Sequence, residues 1–314
     1  MRRVAFLFPG QGSQAVGMGR GLVGSDPFAD GLLSLASEAA GQDLARVCLR
    51  GPDRLLAETR FLQPALVAVC LALWRRLSDA GVEARAVAGH SLGEIAALAA
   101  AGFADPEGAV AMAAARGRLM DAAARERPGA MIAVGGLALE EVERALAGLG
   151  ERGVLAIAAV NAPTQIAVSG DRALVEEAAR RIAAAPSGRA TPLRVSGAWH
   201  CEHMRPAVAP FLEVARDRLG PSSGAGPLLI LGRYGREPRS GEDLAEIAAR
   251  QLVEPLRWDL AMARIAAEGI TDLVEVGPGR VLRGLARLNV RDPDVRAHGA
   301  SDARSADATA KALT

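Results

Sequence analysis

Short apolar runs alternate with longer segments of helical periodicity in the first third of the chain. Residues 4–8 (VAFLF) predict a buried strand that ends in a Gly-rich turn, and residues 84–90 (ARAVAGH) predict a second strand. Residues 65–77 (ALVAVCLALWRRL) and 92–102 (LGEIAALAAAG) are typical of buried helices. This alternation favours an α/β fold with a mainly parallel sheet.

The pattern changes after about residue 127. Six short segments follow up to residue 195, and their patterns are, in order, strand, helix, strand, strand, helix and strand. Two helices between four short strands in this order indicate a ferredoxin-like insert. We therefore predict a small subdomain at residues 127–195. The larger, catalytic subdomain would consist of residues 1–126 and 196–290.

The ends of the chain carry weaker patterns. Residues 291–314 are polar and rich in Ala and Asp without clear periodicity, which predicts a loosely held polar C-terminal tail. The apolar run at residues 4–8 is shorter than that of a signal peptide. The longest apolar stretch, near residues 95–104, is too short to span a bilayer. No membrane association is expected.

Composition narrows the class of function. The chain has 314 residues, 50% of them apolar, and its 37 Lys+Arg against 36 Asp+Glu leave a formal net charge of +1. Such a balance supplies no global field for nucleic acid, and aromatic residues make up only 3%. The cysteines Cys48, Cys70 and Cys201 form neither a disulfide framework nor a zinc-binding pattern. We therefore expect a cytoplasmic protein that binds neither nucleic acid nor a metal.

The segment Gly89-His90-Ser91-Leu92-Gly93 is a G-x-S-x-G motif. It lies between a predicted strand and a predicted helix, which is the context of a nucleophile elbow. A sharp turn there would expose Ser91, and the Leu92 amide would point towards a developing oxyanion. The same letters also fit a Gly-rich turn with an inert serine, so the motif alone does not decide between the two.

A serine nucleophile needs a base, and the chain has 4 histidines. His90 lies inside the motif and would point away from Ser91, and His298 lies in the predicted tail. His200 and His203 remain, and His200 is favoured because it closely follows an apolar strand and a Ser-Gly turn. An acid that would complete a triad does not stand out between Ser91 and His200.

Several segments together resemble the malonyl-CoA:acyl carrier protein transacylases of fatty acid synthesis, and the acyltransferase domains of polyketide synthases. The resemblance spans residues 4–286. It is specific because all the segments occur in the order typical of the family, although no single segment is specific. The matching segments are FPGQGSQ (8–14), QPAL (63–66), GHSLGE (89–94), RG (116–117), GAM (129–131), NAPTQIAVSG (161–170), SGAWH (196–200), QLVEPLRW (251–258) and VGPG (276–279).

The resemblance implies an α/β-hydrolase-like large subdomain with a parallel sheet, and it implies roles for individual residues. Ser91 would be the nucleophile and His200 its base, and the backbone carbonyl of Gln251 would orient the imidazole, so that no acid is required. The amides of Gln11 and Leu92 would form the oxyanion hole.

Arg116 would bind the free carboxylate of the acyl group, and Gln63 would support it. Arg116 lies in a mostly apolar helical stretch, where a guanidinium needs a partner. A planar guanidinium binds a carboxylate through two parallel hydrogen bonds, which lysine cannot do. Without the resemblance, a surface arginine or an internal ion pair would be the simpler interpretation.

Some positions depart from the family pattern. Trp199 precedes His200 where Phe or Ser is expected, and we expect its larger ring to narrow the acyl pocket. Leu92 resembles malonyl-selective members. Residues 232–239 lack the usual Asn-containing pattern, and Glu254 stands where Asn, Ser or Thr is common. These departures bear on the pathway more than on the chemistry.

The implied function is transfer of a malonyl group from malonyl-CoA to the phosphopantetheine thiol of an acyl carrier protein, through a malonyl ester on Ser91. Coenzyme A enters as part of the substrate and no cofactor is expected. Many relatives act as monomers, so a monomer is expected here. The alternatives are the acyltransferase subunit of a malonate decarboxylase, a serine esterase or thioesterase, and a docking subunit with a vestigial site.

Overall fold

The structure is a computed structural model that describes residues 2–222, 224 and 226–314. Strands and helices alternate through most of the chain. The strands are β1 (Val4–Phe8), β2 (Ala84–Gly89), β3 (Ala130–Gly135), β4 (Leu155–Ala162), β5 (Gln165–Gly170), β6 (Arg189–Pro192), β7 (Leu228–Ile230), β8 (Leu256–Arg257), β9 (Asp272–Val276) and β10 (Arg296–Ala300). The helices are α1 (Pro27–Ala40), α2 (Leu44–Arg50), α3 (Asp53–Ala57), α4 (Thr59–Asp79), α5 (Gly93–Ala100), α6 (Pro106–Glu126), α7 (Leu139–Leu146), α8 (Arg172–Ala183), α9 (Arg205–Arg218), α10 (Leu244–Arg250), α11 (Trp258–Ala267), α12 (Val281–Asn289) and α13 (Ala303–Leu313).

The first of two five-stranded sheets is parallel and has the strand order β10-β9-β1-β2-β7. All five residues of β1 are buried, as the continuous apolar run VAFLF requires of a central strand covered on both faces. Because β1 and β2 are neighbours, their carboxyl ends open at the same edge. The Gly-rich turn after Phe8 and the G-x-S-x-G motif after Gly89 therefore meet there.

Helices α4 and α6 pack against each other and are each 21 residues long. By length and composition alone, α4 could cross a membrane, and 78% of its most apolar window is buried inside the protein. It is longer than the stretch near residues 95–104, which the sequence analysis took as the longest apolar one. Its apolar side chains, from Phe61 to Leu77, belong to the main hydrophobic core.

The second sheet has the order β6-β3-β5-β4-β8. The strands β3, β4, β5 and β6 pair antiparallel, and together with α7 and α8 they have the ferredoxin-like arrangement expected for residues 127–195. Val142 of α7 and Ile182 of α8 lie in the apolar cluster on one face of this sheet. The short strand β8, which lies outside that range in sequence, extends the sheet beside β4.

Residues 291–314 are not loosely held, contrary to the expectation from sequence. Strand β10 pairs parallel with β9, and α13 packs on α4. Ala303, Ala306 and Ala310 are buried at helical spacing, so that α13 presents a narrow stripe of small residues. Arg76 also donates two hydrogen bonds to Asp307 at 2.6 and 2.9 Å. Alanine is a weak hydrophobic signal in a sequence, but it allows a helix to approach closely.

Candidate active site

Ser91 lies in a tight turn between β2 and α5, with φ at 52°. A Cβ on Gly89 would lie 2.0 Å from the carbonyl carbon of Gly93, and a Cβ on Gly93 would lie 2.0 Å from the carbonyl oxygen of Phe8. Only glycine fits at these two positions, because Gly89 lies against the start of α5 and Gly93 crosses the end of β1 at close range. The G-x-S-x-G pattern is therefore a steric requirement of this turn.

His200 is the histidine that contacts Ser91. Its Nε2 atom lies 2.8 Å from Ser91 Oγ, and its Nδ1 atom lies 2.7 Å from the carbonyl oxygen of Gln251. A carbonyl can only accept, so Nδ1 carries the proton and Nε2 is free to accept one from the serine. Burial lowers the pKa of His200 to about 3, and the nearby Arg116 adds to this effect. The imidazole is therefore neutral at Ser91.

The other histidines have partners elsewhere. His90 points away from Ser91 towards the second sheet, with Nε2 at 2.7 Å from Asn161 Oδ1. His203 Nε2 lies 2.8 Å from Asp171 Oδ1. His298 pairs with Asp272 at 2.8 Å, near the amino end of β9. Of the two candidates that the sequence left, His200 and His203, the fold places His200 beside Ser91.

The backbone amides of Gln11 and Leu92 lie on the two turns that meet at the sheet edge. Within the part of the chain that the structure describes, neither amide donates to a protein acceptor. Leu92 precedes the first residue of α5, so its N–H group belongs to the positive end of that helix. Two backbone donors without a protein acceptor at the edge of the sheet where Ser91 lies suit the oxygen of a tetrahedral intermediate.

Arg116 reaches Ser91 from the middle of α6. Its Nη2 atom lies 3.3 Å from Ser91 Oγ and 3.1 Å from Gln251 Oε1, and its Nη1 atom lies 2.9 Å from Gln63 Oε1. The residue is only 2% exposed, and burial lowers its pKa to about 10, which still leaves it charged at neutral pH. Among the described residues, its hydrogen-bond acceptors are all uncharged, and it forms no ion pair.

Two residues that the sequence analysis did not assign complete the site. Thr59 lies one helical turn before Gln63, accepts from Gln63 Nε2 at 2.7 Å and donates to Gln11 Oε1 at 3.2 Å. Glu94 accepts from Gln251 Nε2 at 2.9 Å. Glu94 is the last residue of the segment GHSLGE, and Thr59 lies one helical turn before the segment QPAL. Both residues could therefore have been found by their position in or beside a family motif.

Trp199 and Glu254 lie where the sequence departs from its family. The indole ring of Trp199 lies against Gly197, and its backbone N–H donates to Met131 Sδ at 3.4 Å. Neither contact involves Ser91, and the place of Trp199 in the acyl pocket stays a prediction. Glu254 forms ion pairs with Arg233 and with Arg250.

Groups of His, Cys, Asp and Glu that could hold a metal ion are not found among residues 2–222, 224 and 226–314. The cysteines Cys48, Cys70 and Cys201 are buried and free. Burial raises the pKa of the Cys48 thiol to about 12, and it also raises the pKa of the Cys201 thiol. These thiols are therefore protonated at neutral pH and poor nucleophiles.

A parallel sheet, an elbow serine and a neighbouring imidazole define the class of the protein, which is an α/β protein with a serine site for acyl chemistry. A family model described as "Acyl transferase domain" matches residues 5–307. The chain therefore belongs to this acyl transferase family.

Individual relatives agree with the family. The chain is 37% identical over 288 residues to the malonyl CoA-acyl carrier protein transacylase of Escherichia coli K12, with 91% of this chain and 93% of the relative covered. It is similar to the structure of the malonyl CoA-acyl carrier protein transacylase from Coxiella burnetii, with a TM-score of 0.91, 30% identity and coverage of 100% and 98%. A structure described as a type II PKS acyl-carrier protein in complex with its malonyl-transacylase matches with a TM-score of 0.90, 33% identity and 99% of each chain.

Proposed function

We propose that the protein transfers a malonyl group from malonyl-CoA to the phosphopantetheine thiol of an acyl carrier protein, for fatty acid or polyketide synthesis. One observation carries the proposal. The buried guanidinium of Arg116 lies 3.3 Å from Ser91 Oγ and has only uncharged acceptors. A buried cation without a counter-charge in contact is suited to an anionic group at the far end of an acyl chain. The names of the relatives agree with malonyl as that acyl group.

The first half-reaction follows from the hydrogen bonds at Ser91. His200 Nε2 takes the hydroxyl proton while Oγ forms a bond to the thioester carbon, and the amides of Gln11 and Leu92 receive the resulting oxyanion. The carbon–sulfur bond then breaks, and His200 returns its proton to the departing coenzyme A sulfur. A malonyl ester remains on Ser91.

The second half-reaction reverses these steps with a different thiol. The phosphopantetheine sulfur loses its proton to His200 and attacks the ester carbon. The bond to Oγ breaks, the serine regains its proton, and the malonyl thioester leaves on the carrier. Each proton stays within reach of one imidazole, and the steps need no cofactor besides the coenzyme A of the substrate.

Arg116 is proposed to hold the malonyl carboxylate during both half-reactions. Gln63 and Gln251 accept hydrogen bonds from the guanidinium and orient it. A carboxylate can then bind with two charge-assisted hydrogen bonds, which fixes the thioester carbon near Oγ. An acetyl group offers no such contact.

Mass spectrometry of the acylated protein tests the proposal. Incubation with malonyl-CoA should add one malonyl group to the peptide that contains Ser91, and a carrier protein with its phosphopantetheine arm should remove it. Ser91→Ala should prevent the addition, whereas Ser305→Ala, in a cap of α13 far from the site in sequence, should not. An adduct that persists in Ser91→Ala would overturn the proposal. Release to water as fast as to the thiol would favour the esterase alternative.

We further propose that the protein is a cytoplasmic monomer. Sedimentation of the purified protein and cell fractionation test the two statements separately.

A further inference from the structure

Glu94 is a buried carboxylate that contacts Gln251 of the candidate site. It lies in the first turn of α5, three residues after Ser91, and is 2% exposed. Its Oε1 atom accepts from Gln251 Nε2 at 2.9 Å, and its Oε2 atom accepts from the Gly232 amide at 2.7 Å. The reaction steps proposed above do not use it. Burying an ionised carboxylate costs free energy, so Glu94 is expected to have a role besides packing.

The hydrogen bond between Glu94 and Gln251 determines which way the Gln251 side-chain amide faces. An ionised carboxylate only accepts, so the Gln251 atom that faces Glu94 must be the amide nitrogen. The amide oxygen then faces Arg116, from which it accepts at 3.1 Å. A flipped amide would direct its own N–H groups at the guanidinium, and Arg116 would lose one of its acceptors.

Gln251 connects the site in three directions. Its backbone oxygen accepts from His200 Nδ1 at 2.7 Å, and its side-chain nitrogen lies 3.3 Å from the carbonyl oxygen of Ser91. Its side-chain oxygen accepts from Arg116. A flip of the Gln251 side-chain amide would therefore change the contact with Arg116, because that contact depends on the amide oxygen. The contact with His200 would remain, because it is made by the backbone oxygen.

Glu94 also lies close enough to act on the charge of Arg116. The carboxylate partly offsets the lowering of the Arg116 pKa by burial, although the two side chains share no direct ion pair. Separation by one neutral amide keeps the guanidinium charged and leaves its substrate-facing side unoccupied. A carboxylate in direct contact would instead compete with the malonyl group.

We propose that Glu94 is a positioning residue that sets the preference for a carboxylated acyl group. It orients the Gln251 amide, and it acts as a counter-charge to Arg116 from which it is separated by the Gln251 side chain. The proposal rests on the function proposed above. Glu94 touches no reacting atom in this arrangement and acts through Gln251.

Kinetics of Glu94→Gln at pH 8 test this role, with malonyl-CoA and acetyl-CoA as competing donors and a carrier protein as acceptor. The substitution keeps the shape but adds N–H donors. We expect the malonyl-to-acetyl ratio of kcat/KM to fall roughly tenfold, within the range of couplings between residues in contact, while acetyl transfer changes less. Glu275→Gln is the matched control, since Glu275 is also buried and accepts backbone hydrogen bonds, but in β9. It should leave the ratio unchanged.

A double-mutant cycle shows whether the effect passes through Gln251. Gln251→Leu should lower the same ratio by itself, and adding Glu94→Gln should change it little further. Independent, additive losses would overturn the proposal, as would an unchanged ratio in Gln251→Leu, whether or not Glu94→Gln folds. A parent protein that shows no malonyl preference would contradict the proposed function instead, so the two failures are distinguishable.

Discussion

Ser91 and His200 share a backbone conformation that residues with side chains rarely adopt. Their φ angles are 52° and 58°, and no other non-glycine residue in the described part of the chain has a positive φ. Each such residue costs on the order of 1–3 kcal/mol, and the surrounding structure must hold it. Here the close crossing of Gly89 and Gly93 holds the serine, and the hydrogen bond to Gln251 helps to hold the histidine. The two strained residues are the ones whose side chains meet.

Replacement of His200 by alanine should lower malonyl transfer by about 10²–10⁴-fold, because the serine loses the group that accepts its proton. Steady-state assays with circular dichroism as a fold check would measure this. His203→Ala is the control, since His203 contacts Asp171 rather than Ser91. If His200→Ala turned over at the parent rate, His200 would have no part in the mechanism.

Replacement of Arg116 by alanine should remove the preference for malonyl over acetyl. Hydrogen bonds to charged groups contribute about 1.5–3 kcal/mol, so the preference of the parent should be roughly 10- to 100-fold or more. Competition between the two coenzyme A esters measures the ratio. Arg118→Ala, at an exposed position on the same helix, should keep the parent ratio. Equal use of both donors by the parent would contradict the role of Arg116.

Methylmalonyl-CoA should be a poor donor for the parent protein. A close-packed wall accommodates an added methyl group poorly, and we predict that Trp199 and Leu92 form this wall. Trp199→Phe should then improve methylmalonyl transfer relative to malonyl transfer. The ring of Trp199 lies against Gly197, so a smaller ring also leaves space there. Efficient use of methylmalonyl-CoA by the parent would contradict the predicted wall and leave Arg116 unaffected.

Protein stability should depend on pH through Glu94. Burial raises the pKa of Glu94 from 4.5 to about 7, against the opposing hydrogen bonds from Gly232 and Gln251 and the charges of Arg116 and Arg233. The folded state therefore binds more protons than the unfolded state between these two values. The contribution of Glu94 to the free energy of unfolding is most favourable below pH 4.5 and declines as pH rises to about 7.

Glu94→Gln removes this pH dependence. The difference in Tm between the variant and the parent should therefore shift in favour of the variant between pH 5 and pH 8. Thermal unfolding at both pH values in one buffer series measures it. A difference that stays constant over this interval would mean that Glu94 does not titrate there.

Local patterns predicted β1, β2, α5, much of α4 and the order of elements in residues 127–195, together with the turn that carries Ser91. The run VAFLF and the strand–helix order of residues 127–195 are visible in the local sequence pattern. At the elbow, a Cβ on Gly89 would meet its near neighbours Gly93 and Glu94, whereas a Cβ on Gly93 would meet Phe8 at the end of β1. The elbow requires glycine at positions 89 and 93 for steric reasons, so the G-x-S-x-G motif could be recognised without a structure. The partners of Ser91 were named from a resemblance to a family, since spacing alone left His200 and His203 as candidates.

The tertiary structure decided what depends on distant segments. Residues 291–314 became a strand and a helix because β9 and α4 offer them partners, whereas their own Ala- and Asp-rich pattern is weak. Glu94 and Gln251 are separated by 157 positions, yet they share a hydrogen bond whose direction orients Arg116. Periodicity describes which face of an element is buried. It carries no information about which two buried polar groups will meet, because that depends on how the elements pack.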